Sequence, residues 1–486
     1  MESEATPDTG PKVIARFMSK FAGGETAAGF LRTLVAAAVM GLAAVIIVAA
    51  SMWAFFQHDH GEVRSAVRQA FASGALVPNS GLLFDLRRGD YIFNDCLILQ
   101  TLLLGRDDWR NSVIDATIYL DENPCERLQD DVTDQRPLPA TYQYSRYIFA
   151  ARVAAAPLIE LFGVDHAKRL LETIVYLTLV LAALISGYAL LPHARLTTRP
   201  RTLYLATLVC VAAMLGAYRL EHYAQTLAHG FSELAIAAFL LYSITLADES
   251  TEPGVPTVAI ALGVVTGCFE LLTGPSLVAV GMAVLLAHCA APTQSRPFRR
   301  AGLAGFGCIA GILMAMFWQQ ALISALTDAQ PFYQFATHLA MRLQLHQFFA
   351  IPFEPRWATA ANLHLYSAGD VGHAVVDALP TLTYGSSIAA WTLFGGSAVV
   401  IAACPALARR EARPGCIIAA AVGLSLPAWY FAFSNHTVLH SLYMVRMAVL
   451  LPVCAGISLM FVLAPDSWMS ARRAPVRCVK ATVQTP

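Results

Sequence analysis

Apolar residues in this chain come in ten long runs, at positions 34–56, 170–191, 203–218, 231–246, 255–272, 276–290, 303–323, 388–404, 416–433 and 442–463. A helix needs about 20 mainly apolar residues to cross a bilayer core. The longer runs meet that length, and the shorter ones need polar flanks in the interface or a tilted neighbour. The pattern predicts an all-α polytopic membrane protein of about ten transmembrane helices. The first run follows a polar tail, 1–32, with Lys12, Arg16, Lys20 and Arg32. It lacks a small-residue cleavage site with the right flanks, so it reads as a retained span and not a signal peptide. The transmembrane domain then covers 33–464, followed by a polar tail over 465–486.

Two polar intervals stand out. One, 57–163, is far longer than a connector requires, and the other covers 326–385. Inside the first, Arg146–Gly163 is apolar enough to be counted as a further span, yet it contains Arg146, Arg152 and Glu160. Its stripe of Ile148, Ala151, Ala155, Leu158 and Phe162 fits an amphipathic helix lying on the membrane surface. With that segment outside the bilayer, the loops carrying Arg195/Arg199/Arg201, Arg296/Arg299/Arg300 and Arg409/Arg410/Arg413, together with both tails, fall on one side. Basic loops stay in the cytoplasm. Both termini are therefore expected to be cytoplasmic, and 57–163, 219–230, 326–385 and 434–441 are expected to face outward.

Composition agrees with the class: 57% of residues are hydrophobic and 14% charged, with a mean hydropathy of +0.55. A water-soluble globule of that composition would expose too much apolar surface. The formal net charge is zero, and nothing suggests a nucleic-acid partner. Of ten cysteines, only Cys96 and Cys125 fall in an outer loop. An oxidising compartment would allow them to pair, although spacing alone does not establish a disulfide.

The polar residues with chemical potential gather on the outer side. Asp90-Tyr-Ile-Phe-Asn-Asp95 precedes a short apolar segment whose N-terminus Asn94 or Asp95 can cap, holding a carboxylate at the membrane surface; a purely structural cap is the competing reading. Ser434-Asn435-His436 through His440, Tyr443 and Arg446 places imidazoles and a guanidinium on nearly one helical side at headgroup depth. That suits a phosphate or pyrophosphate, with an aromatic and basic interface girdle as the alternative. Glu270 sits in a tight outer hairpin, and Glu221, His222, His229 and Glu233 cluster around the end of the third run. His58-Asp59-His60 and His436/His440 have metal-compatible spacings, but interface hydrogen bonding is the stronger reading for them. A divalent cation, Mg or Mn, bridging a carboxylate to a pyrophosphate stays open.

The order of parts, one span, a long outer loop with an acidic residue ahead of a surface helix, a second surface helix and then many spans, resembles the polytopic lipid-linked-sugar glycosyltransferases of GT-C type. Asn94-Asp95, Tyr144-Ser-Arg146-Tyr147, Phe269-Glu270-Leu-Leu-Thr273-Gly-Pro275 and Trp429-Tyr…Asn435-His436…His440…Arg446 resemble, more narrowly, a group of bacterial membrane proteins. That group's pattern reads T-D, Y-S-R-Y-W-H-G, D-F-L-T-x-P and W-Y…N-H-S…H…Y-R. The chain departs from it at Ile148-Phe149 and at Glu270.

The superfamily likeness implies a polyprenyl-phosphate sugar donor, a hydroxyl acceptor on a glycan or lipid, and an active site on the outer face of a bacterial inner membrane. The expected activity is inverting glycosyl transfer in cell-envelope or surface-polysaccharide synthesis. Asp95 is the expected general base, with Asp90 as second choice. Arg446, His436, His440 and Arg146 are expected at the donor phosphate, and Glu270, Tyr443, Asn435, Tyr147, Glu221 and His222 at the substrate. A lipid or sugar transporter or flippase is the alternative of another class, and a polysaccharide ligase or polymerase the nearest enzymatic one. Transporters commonly show inverted repeats and helices broken at mid-membrane, whereas the polar residues here gather on one face and in large loops.

Overall fold

A computed structural model describes residues 24–56, 61–78, 92–104, 117–119, 123–133, 141–143, 150–191, 200–245, 254–269, 274–291, 297–327, 330–351, 353 and 363–464. Each of the ten apolar runs holds an apolar helix. Six are long and apolar enough to cross a membrane: α1 (Gly24–Phe56), α5 (Ala150–Leu190), α11 (Pro297–Leu326), α14 (Ser387–Leu407), α15 (Arg413–Ala432) and α17 (Ser441–Leu463). The other four are shorter: α6 (Arg201–Ala217), α8 (Gly230–Thr245), α9 (Gly254–Phe269) and α10 (Pro275–Cys289). The chain is thus a multi-pass, predominantly helical membrane protein. Large apolar side chains such as Ile47, Leu177 and Val399 stand exposed on these helices, as side chains facing lipid do.

The helix seams are built on small residues. A Cβ added to Gly263 of α9 would lie 2.0 Å from the carbonyl oxygen of Cys308 in α11, and one on Gly311 would lie 2.5 Å from the carbonyl oxygen of Ile260. The two backbones therefore touch directly, the close approach that glycine permits between helices in lipid, where dispersion and not water expulsion drives association. Gly41 brings α1 onto α11 in the same way.

The first polar interval folds into a small cap: α2 (Gly61–Ala72), α3 (Ile92–Leu103), β1 (Thr117–Tyr119), α4 (Pro124–Thr133) and β2 (Thr141–Gln143). The strands pair antiparallel, Thr117 opposite Gln143; this ribbon departs from the all-helical expectation. Cys96 and Cys125 are joined, tying α3 to α4. One turn further on, Gln100 donates to the Pro124 carbonyl at 2.7 Å and accepts from the Tyr119 amide at 3.1 Å, so a buried amide is satisfied on both sides. Arg64 and Arg68 of α2 donate to the Asp131 and Val132 carbonyls at the end of α4, each at 2.8 Å, where a helix presents unpaired acceptors and negative dipole.

α5 differs from the two separate helices that the sequence suggests. It runs for 41 residues but breaks at Gly163, where φ is 74°. Unbroken, it would measure about 60 Å, twice a bilayer core. The break sets off the stretch before Gly163, in which Ala151, Ala155 and Ile159 are buried while Leu161 and Phe162 are exposed. The 326–385 interval contains α12 (Pro331–Arg342), a 3-10 turn at Leu345–Gln347 and α13 (Ala368–Ala378), the last started by a Ser367/Asp370 capping box. Between α6 and α8 lies the single turn α7 (Leu220–Tyr223), and between α15 and α17 the short α16 (Ser434–Leu439). A 3-10 stretch, Val445–Val449, interrupts α17.

Candidate functional site

Asp95 stands in the first turn of α3, fully buried. One carboxylate oxygen lies 2.8 Å from Lys168 Nζ on α5, and the other accepts the Leu227 amide at 2.7 Å. The preceding residue reaches a different set of partners: Asn94 Nδ2 donates to the Tyr443 hydroxyl at 3.1 Å and lies 3.1 Å from His229 Nε2. His229 and Glu233 are one turn apart, across the start of α8. Glu233 takes up Arg446 at 2.9 Å, both side chains being fully buried, and also accepts the Tyr218 hydroxyl at 2.9 Å. The guanidinium lies 4.3 Å above the Tyr223 ring, a cation–π contact strengthened by exclusion of water.

Segments far apart in sequence thus build one contiguous polar cluster: Asn94, Asp95, Lys168, Tyr218, Tyr223, His229, Glu233, Tyr443 and Arg446. Gly274, just ahead of α10, makes room for it, since a Cβ there would sit 2.4 Å from Arg446 Nε. Burying two ion pairs costs several kcal/mol of desolvation per ion, which close geometry and added hydrogen bonds must offset.

Beside this cluster, His436 and His440 face one another with ring centroids 4.5 Å apart. Burial, reinforced by the nearby Arg342, holds His436 well below the ordinary histidine value and brings His440 down to about 4. Both are therefore neutral at neutral pH and offer an N–H to an anion, but no charge. Asn435 is buried with them. Gln344 of the second polar interval hydrogen-bonds the Ser434 hydroxyl and the Tyr366 carbonyl, pinning that interval beside the histidines.

Glu221 and His222 form a separate group: Arg219 contacts both, reaches the Thr381 carbonyl, and lies 4.4 Å over the Tyr384 ring. Burial and then Arg219 lower the His222 value, with Glu221 opposing. Arg219, Gln344 and Tyr384 all have positive φ, a costly conformation for side chains of that size that persists only where the surroundings enforce it.

The structure therefore brings Asp95, Tyr443 and Arg446 into one cluster and sets His436, His440 and Asn435 beside it, while Glu221 and His222 belong to the Arg219 group. Asp90, Arg146, Tyr147 and Glu270 lie outside the described residues. The sequence does not single out Lys168 as the partner of Asp95. Its signal is positional, a lysine on the stripe Val164, Lys168, Leu171, Val175 that points into the bundle. Nor does the sequence single out Tyr218 and Tyr223, because aromatic residues at the end of a membrane helix are ordinary. Among the described residues no group of three or more His, Cys, Asp or Glu side chains is disposed to hold a metal. The two carboxylates of the cluster are each neutralised by a cation, a donor set that does not fit a divalent ion. No family model matches the chain, and neither does any curated protein or solved structure.

Proposed function

We propose that the protein is an inverting membrane glycosyltransferase that moves a sugar from a polyprenyl-phosphate donor to an acceptor hydroxyl, with Asp95 as general base. The observation that carries this reading is the convergence of Asn94–Asp95, Lys168, His229–Glu233 and Tyr443–Arg446 on one buried polar cluster, beside the segments of both large polar intervals. In this reading Lys168 holds the Asp95 carboxylate in place until the acceptor hydroxyl takes its position. Asp95 then accepts the hydroxyl proton as the oxygen bonds to the anomeric carbon and the bond to phosphate breaks. Arg446 meets the departing phosphate by exchanging Glu233 for it, and the neutral His436 and His440 donate hydrogen bonds.

The topology belongs to the same proposal: ten crossings, both termini in the cytoplasm of a bacterial cell, and the site on the outer face of the inner membrane. The Cys96–Cys125 bond supports that side, since disulfides persist in oxidising compartments. The test is reconstitution in proteoliposomes with a panel of polyprenyl-phosphate sugars and membrane extract as acceptor, following release of polyprenyl phosphate. Release is expected from the wild type and should fall about 10²- to 10⁴-fold in Asp95→Asn. Movement of a labelled lipid-linked sugar across the bilayer without cleavage would instead make the protein a transporter.

A further inference from the structure

Between α14, α15 and α17 runs an apolar groove of about 430 Å³ with Ile401, Pro405, Gly423, Leu424, Tyr430 and Leu451 on its walls. Two prolines shape it. Pro405 lies four residues after Ile401, and Pro427 four after Gly423. A helical proline removes the hydrogen bond to the carbonyl four residues back and bends the helix there. The two residues whose carbonyls lose that bond face one another, for Ile401 Cδ1 would be 3.3 Å from a Cβ on Gly423.

Tyr430 carries the one polar side-chain group on its walls, and its hydroxyl donates to the Met444 carbonyl at 3.2 Å. Among the described residues on its walls no other side chain could receive a head group, and a site this apolar gives water too few partners. Its flank is open toward lipid, with Val399 and Leu424 each 69% exposed. From Ala420 to Tyr430 the wall rises about 15 Å, half the thickness of a bilayer core.

We propose that this groove binds one acyl tail of a phospholipid in the leaflet on the polar-cluster side. The tail packs along α15 up to Tyr430 and, through Ala448, braces the 3-10 stretch of α17 on which Arg446 is carried, with Leu451 in the turn after it. The commitment to an acyl tail rests on the depth of a single leaflet and on described walls that are apolar apart from the Tyr430 hydroxyl; it does not rest on the glycosyltransferase reading.

The experiment uses the full chain in phosphatidylcholine nanodiscs doped with a phosphatidylcholine bearing a photoreactive diazirine at mid-chain, with cross-links mapped by peptide mass spectrometry. Cross-links are expected on groove residues of α14 and α15. Ala402→Phe, which fills the groove, should lower them about tenfold, whereas Ala403→Phe, exposed on the same helix outside the groove, should not. Should Ala402→Phe fail to fold, Ala398→Phe fills the same space, and competition by unlabelled phosphatidylcholine in the wild type reads the same site. Labelling spread evenly over the lipid-facing helices and unmoved by groove filling would overturn the proposal. So would competition by decaprenyl phosphate with none by phosphatidylcholine, which would make the groove an isoprenoid site.

Discussion

The polar cluster around Asp95 and Arg446 and the seam between α9 and α11 hold the same bundle together by opposite means. At the cluster, charged and hydroxyl groups meet in pairs, each group costly to bury and made tolerable by its partner. At the seam there is no charge, and two backbones touch because Gly263 and Gly311 carry no side chain. Damage should therefore follow different rules. A paired site suffers from losing one partner and recovers when both go, whereas a backbone contact suffers from gaining a methyl group and has no second side chain through which to recover.

The largest stability effect is expected at the cluster. Arg446→Met leaves Glu233 buried without its cation, which should cost about 3–5 kcal/mol. Arg446→Met combined with Glu233→Leu should regain most of that loss, read by thermal unfolding in nanodiscs. A single variant as stable as the wild type would show that the pair carries no stability.

At the seam, Gly263→Ala should cost about 1–3 kcal/mol through overpacking. Adding Cys308→Ala should not help, because the clash is with the Cys308 backbone oxygen. Gly302→Ala is the control, since nothing lies within 4 Å of the added Cβ; equal losses in Gly263→Ala and Gly302→Ala would dismiss the close-packing account.

The smallest effect is one of acidity. His440 titrates near 4 in the folded chain against an ordinary value of 6.5, so between those limits the unfolded chain binds a proton that the native one refuses. Stability should be level above about pH 6.5, decline as pH falls toward 4, and decline no further on that account below it. His440→Gln should shallow the decline between pH 6.5 and 4, while His436, depressed by the same burial and by Arg342, continues to contribute. Unfolding midpoints across pH 4–8 measure it; wild type and variant with identical slopes would place the acid sensitivity elsewhere.

The contrast also explains what the sequence could disclose. A span announces itself through a score of consecutive side chains, so all ten apolar runs hold apolar helices. A pair such as Asp95 with Lys168 joins residues 73 positions apart, and no local periodicity records it. The Gly163 break was foreshadowed by the charges of 146–160, which made one long crossing costly, although the continuity of α5 was not. The ribbon of β1 and β2 was missed because three-residue strands carry too little alternation to register. Cys96 and Cys125 were visible as the two outer cysteines, but pairing is a matter of distance, and distance is what a sequence lacks.

The bond between Arg446 and Glu233 also has a history in time. Glu233 is made 213 residues before Arg446, a lag of about 10–40 s at ordinary rates of chain synthesis. Through that interval the carboxylate is without Arg446, and of these two partners, Arg446 and Tyr218, it has only the earlier-made Tyr218 hydroxyl. The span that carries Arg446 is then also the one that completes the site around Glu233, so a chain stalled or cut ahead of Arg446 should be taken by membrane proteases as unfinished.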